Sequence, residues 1–193
     1  ILYNSFGCPK NGPPNIQLDR KSDFTVSEEH TMEIRKAQPA DLDRIMEIYR
    51  TAKLFMDRTG NPTQWVDGYP RRELVEQEIQ QGVCHLCIVD GKIEGVFMLI
   101  GGEEPTYAKI YQGQWLSDAP YHTIHRMASS GNVKGIGDFC FGWCFQHYPN
   151  IRIDTHNDNK VMQRVIERNG FVRCGQIFVK DGSPRIAYQR IVK

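Results

Sequence analysis

Two Asp-Gly pairs, Asp90-Gly91 and Asp181-Gly182, each lie between two strand-like runs rich in apolar residues. That arrangement specifies a tight β-hairpin. "CHLCIV" and "KIEGVFMLI" flank the first pair; "FVRCGQIFV" and "RIAYQRIV" flank the second. Upstream, "EIRKA" alternates as a strand does, and Pro39 fits a first helical turn before Leu42, Ile45, Met46, Ile48 and Tyr49 at helical spacing. Pro70 is expected to open a second helix carrying Leu74, Val75 and Ile79. Between the hairpins, "YHTIHRMA" reads as a strand, "GIGDFCFGWCFQHY" as a helix and "IRIDTH" as a strand. "NKVMQRVIERNG" follows as a helix ended by Gly170. The order β-α-α-β-β-β-α-β-α-β-β, without internal repeat, predicts an α+β domain over residues 32–193.

Residues 1–31 differ in kind. They hold Pro9, Pro13 and Pro14 and show no sustained periodicity, so a flexible extension is expected there, or sequence upstream of a natural start at Met32. The chain's 24 Lys+Arg nearly balance its 23 Asp+Glu, which argues against nucleic-acid binding by bulk electrostatics. No apolar run is long enough to span a membrane, and the first residues lack the pattern of a signal peptide.

The six cysteines are scattered through a chain too large to need disulfide staples, so reduced thiols in a cytoplasmic protein are expected. Cys84 and Cys87, three apart on a strand, would point to opposite faces and could not share a metal ion. Cys140 and Cys144 on one helix face are expected to be small core residues, and no metal site is predicted.

"SSGNVKGIGDF" places Gly131, Gly135 and Gly137 with Lys134 just ahead of a helix. A helix N-terminus offers unpaired N–H groups and the positive end of the helix dipole. Glycines let a phosphate approach that backbone closely, so the stretch reads as a pyrophosphate cradle. It is no P-loop, since no Gly-Lys-Ser/Thr follows. It is no dinucleotide fingerprint either, because Cys140 stands where the third glycine belongs. A tight strand-to-helix turn is the plainer alternative.

"IHRMASSGNVKGIG" resembles the acyl-CoA-binding motif of the GNAT superfamily of N-acetyltransferases, with Gly135 and Gly137 in register and Lys134 where a basic residue is common. Asn132 replaces the usual Arg or Gln, and Val133 stands where glycine is frequent. "IRIDTHNDNKVMQRVIERNGF" resembles the second motif, with Asn159, Gly170 and Phe171 matching. The resemblance covers about residues 32–192. It implies a GNAT-like acyl-CoA N-acyltransferase fold, a central twisted mixed sheet flanked by helices and splayed between "YHTIHRMA" and "IRIDTH". Acetyl-CoA would be the co-substrate and an amine the other partner, with no metal; a homodimer is compatible with it.

On that resemblance the pantetheine arm pairs with backbone near Met127 and Ala128. The pyrophosphate rests on the N–H groups of Asn132, Val133, Lys134, Gly135, Ile136 and Gly137, and Asn159 contacts the cofactor arm or caps its helix. The tyrosine that many relatives use to protonate the leaving thiolate is replaced here by Ile166, which cannot donate a proton. His122 and His125, beside the cleft, are the candidate bases, since an imidazole titrates near neutrality. Arg126 is expected to be structural or to orient an acidic substrate group. Trp65, Tyr69, Tyr107, Tyr111 and Trp115 concentrate in the irregular stretches, where they would wall a substrate pocket. Of these, Trp65, Tyr69, Tyr107 and Trp115 are the substrate candidates; Glu103 and Glu104 read as solvated loop charges or as groups that attract a cationic amine. The function so implied is acetyl transfer to a primary amine of a small molecule or peptide. An acyl-CoA-binding module without turnover is the alternative within the fold, and an unrelated α+β binding domain the alternative outside it.

Overall fold

The computed structural model describes residues 30–192. Residues 1–29, and with them most of the expected extension, lie outside the described residues. His30 and Thr31, placed with that extension by the sequence, contact the turn at Asp90-Gly91. His30 Nδ1 lies 2.6 Å from Asp90 Oδ2, and the Thr31 N–H donates to Asp90 Oδ1 at 3.0 Å.

The strands are β1 (Met32–Lys36), β2 (Cys84–Val89), β3 (Lys92–Gly101), β4 (His122–Ser129), β5 (Asn150–Thr155), β6 (Val172–Phe178) and β7 (Pro184–Ile191). The helices are α1 (Leu42–Arg58), α2 (Arg72–Gln80), α3 (Ile136–His147) and α4 (Lys160–Arg168). Their order is the one the periodicities predict. One seven-stranded sheet runs β1-β2-β3-β4-β5-β7-β6, antiparallel except for the parallel pair β4–β5. Pro39 opens a short 3-10 turn, Pro39–Asp41, and α1 starts behind it. Pro70 precedes α2 by two residues rather than sitting in its first turn.

The helices cover both sheet faces. Ile45, Ile48 and Tyr49 of α1 and Val75 of α2 pack with Leu86, Val96 and Met98 on one face. Phe141 and Cys144 of α3 and Ile166 of α4 pack with Phe97, Ile124, Ile151 and Ile153 on the other. Fully burying each such side chain contributes about 1.5–3 kcal/mol. Cys84 lies in the first core and Cys87 in the second, on opposite faces as the strand period requires. A third cluster, Tyr107, Tyr121, Ile177 and Ala187, fills the space under the irregular stretch before β4. Gly95 of β3 lets α3 reach the sheet, because a Cβ there would stand 2.5 Å from Ile136 Cγ2.

Candidate active site

The parallel ladder between β4 and β5 lasts only from His122–Ile151 to Ile124–Ile153. Beyond it the strands separate, leaving the β5-facing edge of β4 without a strand partner. Two residues of β4, Arg126 and Met127, oppose the single residue Phe97 of β3, which is a β-bulge, and Arg126 adopts φ 51. The bulge turns the following residues by one position, so Ala128 joins the core on the α1 side. A cavity of about 1000 Å³ fills the cleft, reaching from the N-terminus of α3 to the β6–β7 hairpin.

At one end stand Met127, Ala128, Val133, Gly135, Ile136, Gly137 and Asn159, as the motif implies. The N–H groups of Ile136, Gly137 and Asp138 have no backbone acceptor among the described residues. Gly135 caps α3 at φ 82 with open space where a Cβ would be, so this backbone can be approached closely. Gly137 does different work: a Cβ there would stand 3.0 Å from Val165 Cγ1, so its absence lets α3 meet α4. The side chains of Asn132 and Lys134 stand apart from the cavity. Asn132 turns its side chain to Glu94, Nδ2 donating to Oε2 at 3.2 Å, and Lys134 is exposed; neither borders the cavity. Asn159 does border it while capping α4, its side chain accepting from the Met162 N–H at 3.0 Å and donating to Gln64 Oε1 at 2.9 Å.

The two histidines separate. His125 borders the cavity, with Nε2 3.4 Å from Glu104 Oε2. The other oxygen of Glu104 accepts from Thr106 N and Oγ1, at 3.2 and 2.8 Å. The His125 imidazole and these Thr106 bonds hold the Glu104 carboxyl down to about 2, outweighing the opposite push of burial. His122 does not border the cavity. It stacks on Tyr148 with ring centres 3.9 Å apart, fills the space beside Gly101, and is less basic than usual because it is partly buried.

Trp65 and Tyr69 line the cavity; Tyr107 and Trp115 do not. Tyr107 is core, its hydroxyl donating to Asp154 Oδ1 at 2.6 Å, and burial with the adjacent Asp154 charge pushes its pKa well up. Trp115 covers Tyr107 and stacks on the Arg152 guanidinium, which lies 4.0 Å from its ring centre. Arg126 pairs with the buried Glu78 and donates to the Tyr69 hydroxyl at 2.8 Å, so a structural partner takes its charge. Ile166, in the place of the family's tyrosine, is fully buried among core residues. Glu104, Glu78 and Asp154 are cavity residues that composition alone could not separate from surface charge. Among the described residues no three His, Cys, Asp or Glu side chains are placed to hold a metal ion, and no helix is long and apolar enough to cross a membrane.

No protein-family model matches the chain, and a search of curated proteins gives no match. Solved structures do match. An acetyltransferase of the GNAT family from Streptococcus agalactiae 2603 is 36% identical with a TM-score of 0.77, covering 84% of this chain and 96% of that one. A GNAT family acetyltransferase from Listeria monocytogenes 4b F2365 shares the fold at 19% identity and TM-score 0.61, over 83% and 95% of the two chains. So does an acetyl transferase from Salmonella typhimurium that modifies the N-terminal serine of ribosomal protein L7/L12, at 18% identity and TM-score 0.58, over 84% and 96%. A mixed sheet opened between its two parallel strands, with a helix N-terminus at the opening, is the architecture of an acyltransferase. This chain belongs to the GNAT family of acetyltransferases, whose members use acetyl-CoA as co-substrate.

Proposed function

We propose that this protein transfers the acetyl group of acetyl-CoA to a primary amine of a small molecule or peptide by direct attack. The N–H groups of Ile136 and Gly137 at the start of α3 would hold the pyrophosphate. The unpaired edge of β4 near Met127 and Ala128 would bind the amides of the pantetheine arm as an added strand does. Bound there, acetyl-CoA supplies an activated carbonyl with a thiolate leaving group.

The observation that carries the reading is the His125–Glu104 pair at the cavity wall. A carboxylate beside Nε2 favours the proton on that nitrogen, which leaves the Nδ1 lone pair free to accept one. The attacking nitrogen must shed a proton as it bonds to the carbonyl carbon and the C–S bond breaks. His125 Nδ1 takes that proton, directly or through water, and the sulfur leaves with the electron pair of the broken bond. No phenol on α4 protonates it, because Ile166 occupies that place. A thiolate leaves tolerably near neutral pH without such help.

The test is a screen of primary amines with acetyl-CoA, reading free CoA and the mass of the product. Amine-dependent CoA release matched by acetylated product supports the reading. Tight CoA binding with no amine-dependent release supports a binding module instead.

A further inference from the structure

Arg185 is the second residue of β7 and is only 7% exposed. A cation withdrawn so far from water is strongly unfavourable unless a counter-charge or a full set of acceptors compensates it. Two other enclosed arginines have stronger partners, although each keeps a buried Nε unbonded. Arg126 has Glu78, and Arg152 lies between the rings of Trp115 and Tyr121 while donating to the Ser117 carbonyl. Arg185 has only two neutral oxygens: Nη1 donates to Ser183 Oγ at 2.8 Å and to the Pro184 carbonyl at 3.0 Å. Among the described residues, no carboxylate pairs with it, and Nε and Nη2 make no hydrogen bond. Asp181 stands one hydroxyl away, accepting from Ser183 Oγ at 2.5 Å and from the Ser183 N–H at 2.8 Å. That relay fixes the guanidinium by one nitrogen and leaves its other edge open. Arg185 borders the same cavity as His125.

The sheet register places the two on one face. Asp154 pairs with Ala187, and Arg185 lies two residues from Ala187 on the same strand, hence on the same side of the sheet. His125 follows Ile124, whose partner Ile153 precedes Asp154. His125 and Arg185 therefore approach the cleft from either side of β5. The free edge of a guanidinium, Nε with Nη2, presents two parallel donors that match the two oxygens of a carboxylate.

We propose that Arg185 is the anchor for a carboxylate on the acceptor, so that the substrate is an amino carboxylate whose amine is turned toward His125. The amine part rests on the reading of acetyl transfer given above; the anion site stands on Arg185 itself. Products of such a reaction are N-acetylated amino acids, and these serve as probes without turnover.

In the presence of CoA, binding of N-acetylglycine, N-acetyl-β-alanine, N-acetylleucine and N-acetylphenylalanine is compared by calorimetry with that of the corresponding primary amides. The wild-type protein is expected to bind at least one acid roughly tenfold or more tightly than its amide. Arg185→Met should abolish that difference. Arg185→Lys, which keeps the charge but not the two-pronged edge, should retain part of it. Equal binding of every acid and its amide by the wild type, no binding of any probe, or a preference that persists in Arg185→Met would overturn the proposal. The wild-type comparison stands even if a variant fails to fold. Turnover of amines without carboxylate preference removes the anchor alone. Carboxylate preference without turnover removes the transfer reading and leaves the anchor.

Discussion

His125 Nε2 lies 3.4 Å from Glu104 Oε2, and both side chains border the cavity between β4 and β5. The carboxyl of Glu104 titrates at about 2, held down mainly by His125 and then by Thr106. A carboxylate whose folded pKa lies below its unfolded value, about 4.3, stabilises the fold above that unfolded value. The contribution fades as pH falls from there toward 2. Thermal melts should therefore show the wild type losing more stability than Glu104→Gln between pH 5 and pH 2. Parallel curves would mean that the pair contributes nothing to the folded state.

Gly135, at the start of α3, has a backbone conformation that a side chain disfavours. Its φ of 82 is strained for any L side chain, although no atom would meet the Cβ. Gly135→Val should weaken CoA binding by about 1–3 kcal/mol, the scale of lost polar contacts, in calorimetric titrations of the folded variant. Gly137→Ala is the companion, since it should disturb the contact with Val165 and lower the melting temperature more than it lowers CoA affinity. Unchanged CoA affinity in folded Gly135→Val would remove the cradle.

Much of this was legible in the sequence, and the exceptions have physical reasons. The Asp-Gly turns and the helical spacings give every element in order. The first turn follows closely: Asp90 and Gly91 take φ 49 and 76, as a two-residue hairpin of this kind requires. The placement of Gly135, Ile136 and Gly137 at one end of the cavity was legible too, because they belong to one contiguous stretch of backbone. His122 and His125 could have been told apart by the strand period, which puts residues three apart on opposite faces. The bulge at Arg126 has no sequence signal as plain, and it reorders the faces beyond it. Tyr107 and Trp115 looked like pocket aromatics because loops with aromatics often wall a site. Here the same side chains pack on Ile177 of β6 and Ala187 of β7.

Ile166→Tyr should not supply the family's phenol. The side chain of Ile166 is wholly enclosed by the second core, so the larger ring overpacks it. A loss of about 1–3 kcal/mol in denaturant unfolding is expected, with no gain in acetyl-transfer rate per folded molecule. A faster and equally stable variant would show that the position does open to the cleft.

Glu78→Gln tests the pair under the Arg126 bulge. Both side chains are nearly enclosed, at 7% and 12% exposure. Removing the negative partner leaves a buried, uncompensated guanidinium, at a cost of about 3–5 kcal/mol. Chemical denaturation should report this as a lower midpoint with an unchanged slope. A shift worth less than about 1 kcal/mol would place the pair among surface contacts.

The most direct measurement is the turnover number for amine-dependent CoA release in wild type, His125→Ala and His122→Ala, each corrected for its folded fraction. The account predicts a fall of about 100-fold or more for His125→Ala, the general-base contribution. His122→Ala should lower the melting temperature through the lost stack on Tyr148 and keep wild-type turnover. Wild-type turnover in His125→Ala, or a large loss confined to His122→Ala, would contradict it.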